Sequence, residues 1–333
     1  VKEAIFASLE RASRGAAHRS TRSYNNHVGV PLSLARMPAR SRFAIFEMGM
    51  NHAGEIADLT AQVRPHVAVI TTIAPAHIEN LGSMDAIAAA KAEIFAGLEP
   101  GGTAVIPADS EHSAALERAA RDVGARVVSF GRARSADVRL LDAIPSANGG
   151  SLVTCEFPEG RLCYTVAEPG DHWVINSLAV MASVRAAGGD MAAAGLALAE
   201  MGGLKGRGAR HGIDVPGGKA LLIDESYNAN PASMRATLAQ LGQTPSGRRI
   251  AVLGAMKELG DFGAQFHAAL SEPIIAADVD YAVLVGEEMG ALARELGKPQ
   301  SSVLGKPIAW AHCQTADEAI ELLEDFGVVA GDA

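Results

Sequence analysis

Three residues in the first half of this 333-residue chain stand where a purely structural pattern would not put them. Glu47 directly follows the apolar run Phe43-Ala44-Ile45-Phe46. His77 lies just past the β-branched run 67–73, within Ala74-Pro75-Ala76-His77-Ile78-Glu79. In open α/β sheets the crevice beyond the carboxyl ends of strands is where ligands sit, which makes both residues candidate ligand contacts. Strand-end polar residues also serve ordinary turns and caps, so neither carries the case alone. Lys91 is the sharper anomaly. Ser83 is a good N-cap, and Met84, Ile87, Ala88, Ile94, Phe95 and Leu98 recur at helical spacing. Lys91 falls within that apolar stripe, so its ammonium either snorkels out to water or enters a polar site at the sheet edge.

The second half has its own cluster. Asp224-Glu225-Ser226-Tyr227-Asn228-Ala229-Asn230-Pro231 follows an apolar strand pattern and precedes a helix pattern beginning near Ser233. An Asx-rich turn with a proline helix start accounts for part of it, but a turn does not require Tyr-Asn-Ala-Asn. Further on, Val252-Leu253-Gly254-Ala255-Met256-Lys257-Glu258-Leu259-Gly260 reads as a strand running into a glycine turn. It lacks the G-x-G-x-x-G spacing of a dinucleotide fingerprint, which argues against a nicotinamide oxidoreductase.

The elements that must position these residues form two series. Runs at 43–46, 67–73, 104–106 and 126–130, separated by Ala-rich helical segments, indicate a parallel sheet covered on both faces. Between 137 and 166 the pattern shifts to short alternating strands, with 151–157 and 161–166 flanking Pro158-Glu159-Gly160 as an antiparallel hairpin. Helical periodicity returns at 173–187 and 191–201. A glycine-rich stretch, 202–208, reads as a linker. A second α/β series follows: strands at 220–223, 249–253, 281–285 and 308–310, a helix from 233 and another around 265–275. The expected fold class is α/β, with a central parallel-sheet domain over 1–212 that includes an antiparallel hairpin region, then a Rossmann-like α/β domain over 213–333.

Bulk properties narrow the function. A length of 333 residues exceeds what one core usually supports. Hydrophobic residues at 48% and charged residues at 20% are ordinary for a soluble globular chain. Net charge is −9 with no basic block, which points away from nucleic acid. The three cysteines show no metal or disulfide spacing and read as reduced thiols. No apolar run nears 18 residues, so membrane insertion is not expected, and the expectation is a cytoplasmic monomer.

Taken in order, several segments resemble the Mur ligases: Ser23-Tyr24-Asn25-Asn26-His27-Val28-Gly29-Val30-Pro31, Glu47-Met48-Gly49, Ala76-His77-Ile78-Glu79 and Ala90-Lys91-Ala92-Glu93-Ile94. Further matches are Gly170-Asp171-His172-Trp173-Val174-Ile175-Asn176, Gly206-Arg207-Gly208, the block 224–231, and 253–260 with His267. The Tyr-Asn-Asn-His and Tyr-Asn-Ala-Asn-Pro segments are similar to the branch that adds D-alanyl-D-alanine to UDP-N-acetylmuramoyl-tripeptide. The resemblance implies an ATP-dependent ligase that passes through an acyl phosphate, in peptidoglycan precursor synthesis. Transfer to a carboxylate brings anions together, a task for metal ions.

By that resemblance Glu47 holds one Mg2+, His77 the second, and Lys91 is a carbamylated lysine whose CO2 adduct binds metal as a carboxylate. Asn26 meets the muramoyl substrate, and Asn230 lines the substrate side. His172 and Asn176, four apart on one helical face, approach the adenine. Arg207 reaches the ATP phosphates, while Glu225, Tyr227 and Asn228 close over the nucleotide.

Departures accompany the match. The family's phosphate loop, G-x-x-x-x-G-K-[ST], is expected immediately before Val1, and no such motif occurs in these residues. The resemblance also implies a preceding nucleotide-gripping domain and a further lysine-containing strand after Ala333, so the chain as given is expected to be an inactive fragment. Glu225 stands where the family usually has Asp, and Ala255 replaces a common Asp. The competing readings are a sister Mur ligase or a folylpolyglutamate synthase-like ligase, and a non-catalytic binding module derived from a ligase.

Overall fold

The computed structural model describes residues 1–146, 149–298 and 308–333, which divide into two compact units. The first comprises Val1–Ile73 with Asn80–Met201, and the second Ala74–Glu79 with Gly202–Ala333.

In the first unit β1 (Ala17–Arg19) and β2 (Phe43–Ile45) form a small parallel pair. Six further strands make one sheet in the order of the chain: β3 (Val67–Val69), β4 (Thr103–Pro107), β5 (Arg126–Gly131), β6 (Val138–Pro145), β7 (Ser151–Phe157) and β8 (Gly160–Val166). Pairing is parallel from β3 to β6 and antiparallel from β6 to β8. Every residue of β4 is buried, as its unbroken apolar run demands of a strand covered on both faces. In β7, Ser151, Val153, Cys155 and Phe157 are buried while the residues between them are more open, the period-two pattern of a half-covered strand.

The helix Asp171–Ala186 is enclosed along its length, with every residue from Ser177 to Val184 buried. A helix apolar all round belongs in a core. It shares one cluster with Phe130, Val138, Val153 and Tyr164 of the sheet. Inside that cluster the Tyr164 hydroxyl hydrogen-bonds the Ser177 hydroxyl at 2.8 Å, so neither buried polar group lacks a partner.

The second unit begins with an antiparallel hairpin of β9 (Ala209–Val215) and β10 (Gly218–Asp224). A parallel sheet follows in the order β11 (Ile250–Gly254), β12 (Tyr281–Val285), β13 (Ala309–Cys313). Its small core contains Tyr281, Val283, Cys313 and Ala319, with Phe326 stacked on Tyr281 at 4.1 Å between ring centres. Residues 331–333 stitch the two sheets, through Leu221 N–H to the Asp332 carbonyl at 2.9 Å and Ile250 N–H to the Ala333 carbonyl at 2.7 Å. No described helix is long and apolar enough to cross a membrane.

Local expectations shift in four places. The run 67–73 pairs in the sheet only as Val67–Val69. β2 pairs outside the six-stranded sheet with β1, whose Ala-His-Arg sequence has no apolar signal. The helix expected around 265–275 is two, Gly263–Ala268 and Ser271–Ala276. Pro273 cannot donate to the Ala269 carbonyl and its ring would crowd that group, so a continuous helix is excluded there. The glycine-rich stretch 202–208 is built into turns, with Leu204 bridged to Arg207 and Gly208.

Candidate active site

In the first unit, Glu47 stands at the end of β2, held by its backbone and its side chain. Its N–H donates to the Ser20 hydroxyl at 3.3 Å, while Ser20 N–H donates to the Ile45 carbonyl at 3.0 Å. Its half-exposed carboxylate receives the Asn25 Nδ2 at 3.4 Å and lies 3.8 Å from the Lys2 ammonium. Lys2, in the helix Lys2–Ser13, also donates to the carbonyls of Ser20, at 3.1 Å, and of Arg22. It thereby ties helix, loop and carboxylate together. Asn26 is exposed, and its Oδ1 accepts from the N–H groups of Val28 and Gly29 at 3.2 and 2.9 Å. Its carboxamide oxygen thus serves the start of the helix Gly29–Ala35, which leaves its NH2 for a ligand.

Ser83 caps the helix Met84–Ala92 as expected, its hydroxyl accepting from Ala86 N–H at 3.1 Å. Lys91 sits in the last turn, half-buried, with no ion-pair partner among the described residues. Burial pulls its ammonium below the ordinary lysine range. Two residues on, Glu93 accepts from the N–H groups of Gly54 and Ala57 at 2.7 and 3.2 Å, satisfying the start of the helix Glu55–Val63. His172 and Asn176 lie on successive turns at the start of the enclosed helix Asp171–Ala186, and both are half-buried. Burial draws the His172 imidazole below its usual value, against the neighbouring Asp171 carboxylate, so a ring near neutral pH favours the uncharged form suited to stacking or accepting a hydrogen bond.

In the second unit, His77 has a left-handed backbone (φ 60°), as does Glu258 (φ 61°), and the two side chains touch. Glu79 N–H donates to the Glu258 carbonyl at 3.3 Å. The His77 Nδ1 is nevertheless buried without a hydrogen bond of good alignment. The Glu258 turn is anchored from behind by His267, fully buried, whose Nε2 accepts from Met256 N–H at 2.9 Å while its Nδ1 faces the Gly263 carbonyl at 2.7 Å. That pair of partners requires the tautomer protonated on Nδ1.

The end of β10 is a tight knot. Asp224 accepts from Gly206 N–H at 2.9 Å and from the Ser226 hydroxyl at 2.6 Å, and its carbonyl accepts from Gly208 N–H at 2.9 Å. These bonds, the Ser226 hydroxyl foremost, hold its carboxyl below the usual aspartate range. Tyr227 N–H returns to the Gly206 carbonyl at 3.0 Å. Gly206 is left-handed (φ 71°), and a Cβ there would meet Tyr227 at 3.0 Å, so this position calls for glycine. The knot presents Arg207 over the Tyr227 ring. Beside them, burial and then the Asp224 charge push the Glu225 carboxyl up, partly offset by Arg207. Asn228 is exposed, its Oδ1 accepting from Ala229 N–H at 2.9 Å. Asn230 caps the helix Pro231–Gln243 in a full capping box: its Oδ1 accepts from Ser233 N–H at 2.9 Å, and its N–H donates to the Ser233 hydroxyl at 3.0 Å.

Sequence reasoning missed Lys2, Ser20 and Asn25 around Glu47, the pinning role of Asp224, and Glu258 beside His77. Asn25 and Asp224 adjoin residues that had been singled out, but nothing in their spacing separates holder from held.

The donor chemistry fits divalent metal. Glu47 offers a half-exposed carboxylate, His77 a buried ring nitrogen without an aligned partner, and Lys91 a half-buried amine with no ion-pair partner among the described residues. Among the described residues no three His, Cys, Asp or Glu side chains gather as a ready cage. The Lys91 position would supply an oxygen ligand only as a carbamate.

Residues 1–184 match the Mur ligase middle domain, and residues 213–333 match the Mur ligase, glutamate ligase domain. The chain is 33% identical over 299 residues to the UDP-N-acetylmuramoyl-tripeptide--D-alanyl-D-alanine ligase of Escherichia coli (strain K12), covering 89% of this chain and 64% of that protein. It is 35% identical over 295 residues to the protein of the same name from Synechocystis sp. (strain ATCC 27184 / PCC 6803 / Kazusa), covering 86% and 59%. The chain therefore spans about three fifths of the length of these curated relatives. A crystal structure of MurF from Acinetobacter baumannii superposes with a TM-score of 0.85 at 29% identity, covering 98% of this chain and 68% of that one. With both of its units matched, the chain belongs to the Mur ligase family.

Proposed function

We propose that this chain is the central and C-terminal part of the ligase that joins D-alanyl-D-alanine to UDP-N-acetylmuramoyl-tripeptide at the expense of ATP, in the cytoplasm. In domain terms, 1–212 is the ATP-binding domain and 213–333 the C-terminal Rossmann-like domain. The observation that carries the reading is 33% identity to a ligase of that name across 89% of this chain.

In the reaction a carboxylate oxygen of the tripeptide attacks the γ-phosphorus of ATP and ADP leaves. The amine of D-alanyl-D-alanine then attacks the acyl phosphate, losing a proton, and inorganic phosphate departs. Glu47 would hold one Mg2+ and His77 the second, a carbamylated Lys91 would add a metal-binding carboxylate, and the ions would supply positive charge against the anions that must meet. The lowered Lys91 ammonium supports that role, because only a free amine adds CO2, giving a carbamate and releasing a proton. His172 and Asn176 take the adenine. Arg207 meets the phosphates, its guanidinium already oriented by Tyr227, and Glu225, Tyr227 and Asn228 line the nucleotide. The NH2 of Asn26 contacts the muramoyl substrate. Asn230 serves the substrate side through the turn it caps.

The test is phosphate release by the full-length protein with UDP-N-acetylmuramoyl-tripeptide, ATP and Mg2+, with and without D-alanyl-D-alanine. Release that requires all four components is expected. Turnover only with another amino acid or with a folate would move the protein to a sister ligase. No ATP-dependent turnover with any acceptor would leave a binding module.

A further inference from the structure

The carboxylate of Glu47 is held by a neutral residue that no part of the reaction above uses. Asn25 Nδ2 donates to Glu47 Oε1 at 3.4 Å, and the Asn25 carbonyl accepts from Gly49 N–H at 2.8 Å. A Cβ on Gly49 would meet Asn25 Nδ2 at 2.7 Å and Cγ at 3.0 Å. The absence of a side chain at 49 is therefore what lets the Asn25 carboxamide lie against the segment carrying Glu47. The next residue fixes the same turn from its other side, because Asn26 Oδ1 is bound to Val28 and Gly29 N–H. Asn25 is thus pinned by backbone on both flanks, and its carboxamide is the element free to act on Glu47.

We propose that Asn25 is a positioning residue for Glu47, a proposal that rests on the reading of Glu47 as a metal ligand. A carboxylate rotates about three side-chain bonds, and one directed hydrogen bond removes much of that freedom before a cation arrives. An amide does this without neutralising the carboxylate, whereas a cation in the same place would compete with the metal for its charge. Lys2 stands farther off, at 3.8 Å, and its ammonium is engaged by backbone carbonyls.

The test uses the full-length protein and Mn2+ as the probe, with bound metal read by electron paramagnetic resonance in the presence of ATP. Asn25→Ala is expected to weaken Mn2+ binding about tenfold, the scale of one hydrogen bond to a charged group. The Mg2+ concentration for half-maximal phosphate release should rise by a similar factor, with kcat recovered at saturating metal. Gly49→Ala should produce the same defect, because the new methyl displaces the carboxamide. The double variant should be no worse than Asn25→Ala alone. Should Asn25→Ala fail to fold, Gly49→Ala decides the matter by itself. Mn2+ binding unchanged in both variants, a loss of kcat that metal does not restore, or defects that multiply in the double variant would each overturn the proposal. Mn2+ binding that is the same in wild type and Glu47→Gln would instead overturn the metal-ligand reading, and this inference with it.

Discussion

The guanidinium carbon of Arg207 lies 4.1 Å from the centre of the Tyr227 ring, although the two residues belong to different turns of the chain. Asp224 brings those turns together through Gly206 N–H, Gly208 N–H and Ser226. Both side chains are exposed, so the contact orients Arg207 more than it stabilises the fold, a cation–π pair of this kind being worth about 0.5–1 kcal/mol. Tyr227→Leu should raise the KM for ATP about two- to fivefold while costing no more than about 1 kcal/mol of stability. Tyr227→Phe, which keeps the ring, should remain near wild type. Equal effects of both substitutions on steady-state kinetics would assign the role to the hydroxyl.

Lys91→Ala should abolish phosphate release, and short carboxylates such as formate or acetate should restore part of it by supplying the missing oxygen ligand. The carbamate itself should appear as a carbonyl resonance after equilibration of the wild-type protein with 13C-labelled bicarbonate. Rescue by a small amine in place of a carboxylate would identify the working form of Lys91 as the ammonium.

Asn230 has its oxygen committed to the capping box, so Asn230→Ala should cost about 1 kcal/mol. Asn230→Asp keeps an acceptor there and should recover most of that loss. Urea unfolding of both variants measures the difference. A loss of the same size in the Asp variant would assign the effect to the Asn230 NH2 and hence to a contact other than the cap.

His267→Ala leaves the Met256 N–H without its acceptor in a fully buried place and opens a cavity beside it. The expected cost is about 2–4 kcal/mol in chemical denaturation. Nitrogen chemical shifts of the wild-type ring should report a proton on Nδ1. The opposite tautomer would mean that the Met256 turn is held differently.

Asp332 is 3% exposed and paired with Arg248, whose Nε lies 3.0 Å from its carboxylate. Arg248 holds that carboxyl below the usual aspartate range. With the folded value depressed, the stabilisation is complete above the unfolded value of about 3.9 and is lost as pH falls through the folded one. Asp332→Asn should therefore narrow the stability gap to wild type as pH drops below about 4. A gap that stays constant through that range in acid titrations of unfolding would show that the pair contributes by packing alone.

Much of the architecture was legible because it rests on local chemistry. The unbroken apolar run of β4, the alternation in β7, the Ser83 cap and the strand end at Asp224 each follow from residues near in sequence. β1 was not legible, because Ala-His-Arg becomes a strand only when Phe43–Ile45 lies alongside. The break between the helices Gly263–Ala268 and Ser271–Ala276 could have been read from Pro273, but apolar periodicity on both sides concealed it.

The sequence alone determined which residue types are available for chemistry and which motifs carry them: Glu47, His77, Lys91, Arg207 and the block from Asp224 to Asn230. A motif records identity at a spacing, and that is sufficient for family and for candidate chemistry. Only the tertiary structure decided which groups hold the candidates: Asn25, Lys2 and Ser20 about Glu47, and Asp224 between Arg207 and Tyr227. It also showed that Asn230 and the oxygen of Asn26 are engaged in helix starts. The physical reason is that hydrogen bonds and burial depend on distances between segments remote in the chain. Asn25 and Glu47 are 22 residues apart, and no local pattern encodes the 3.4 Å between their side chains.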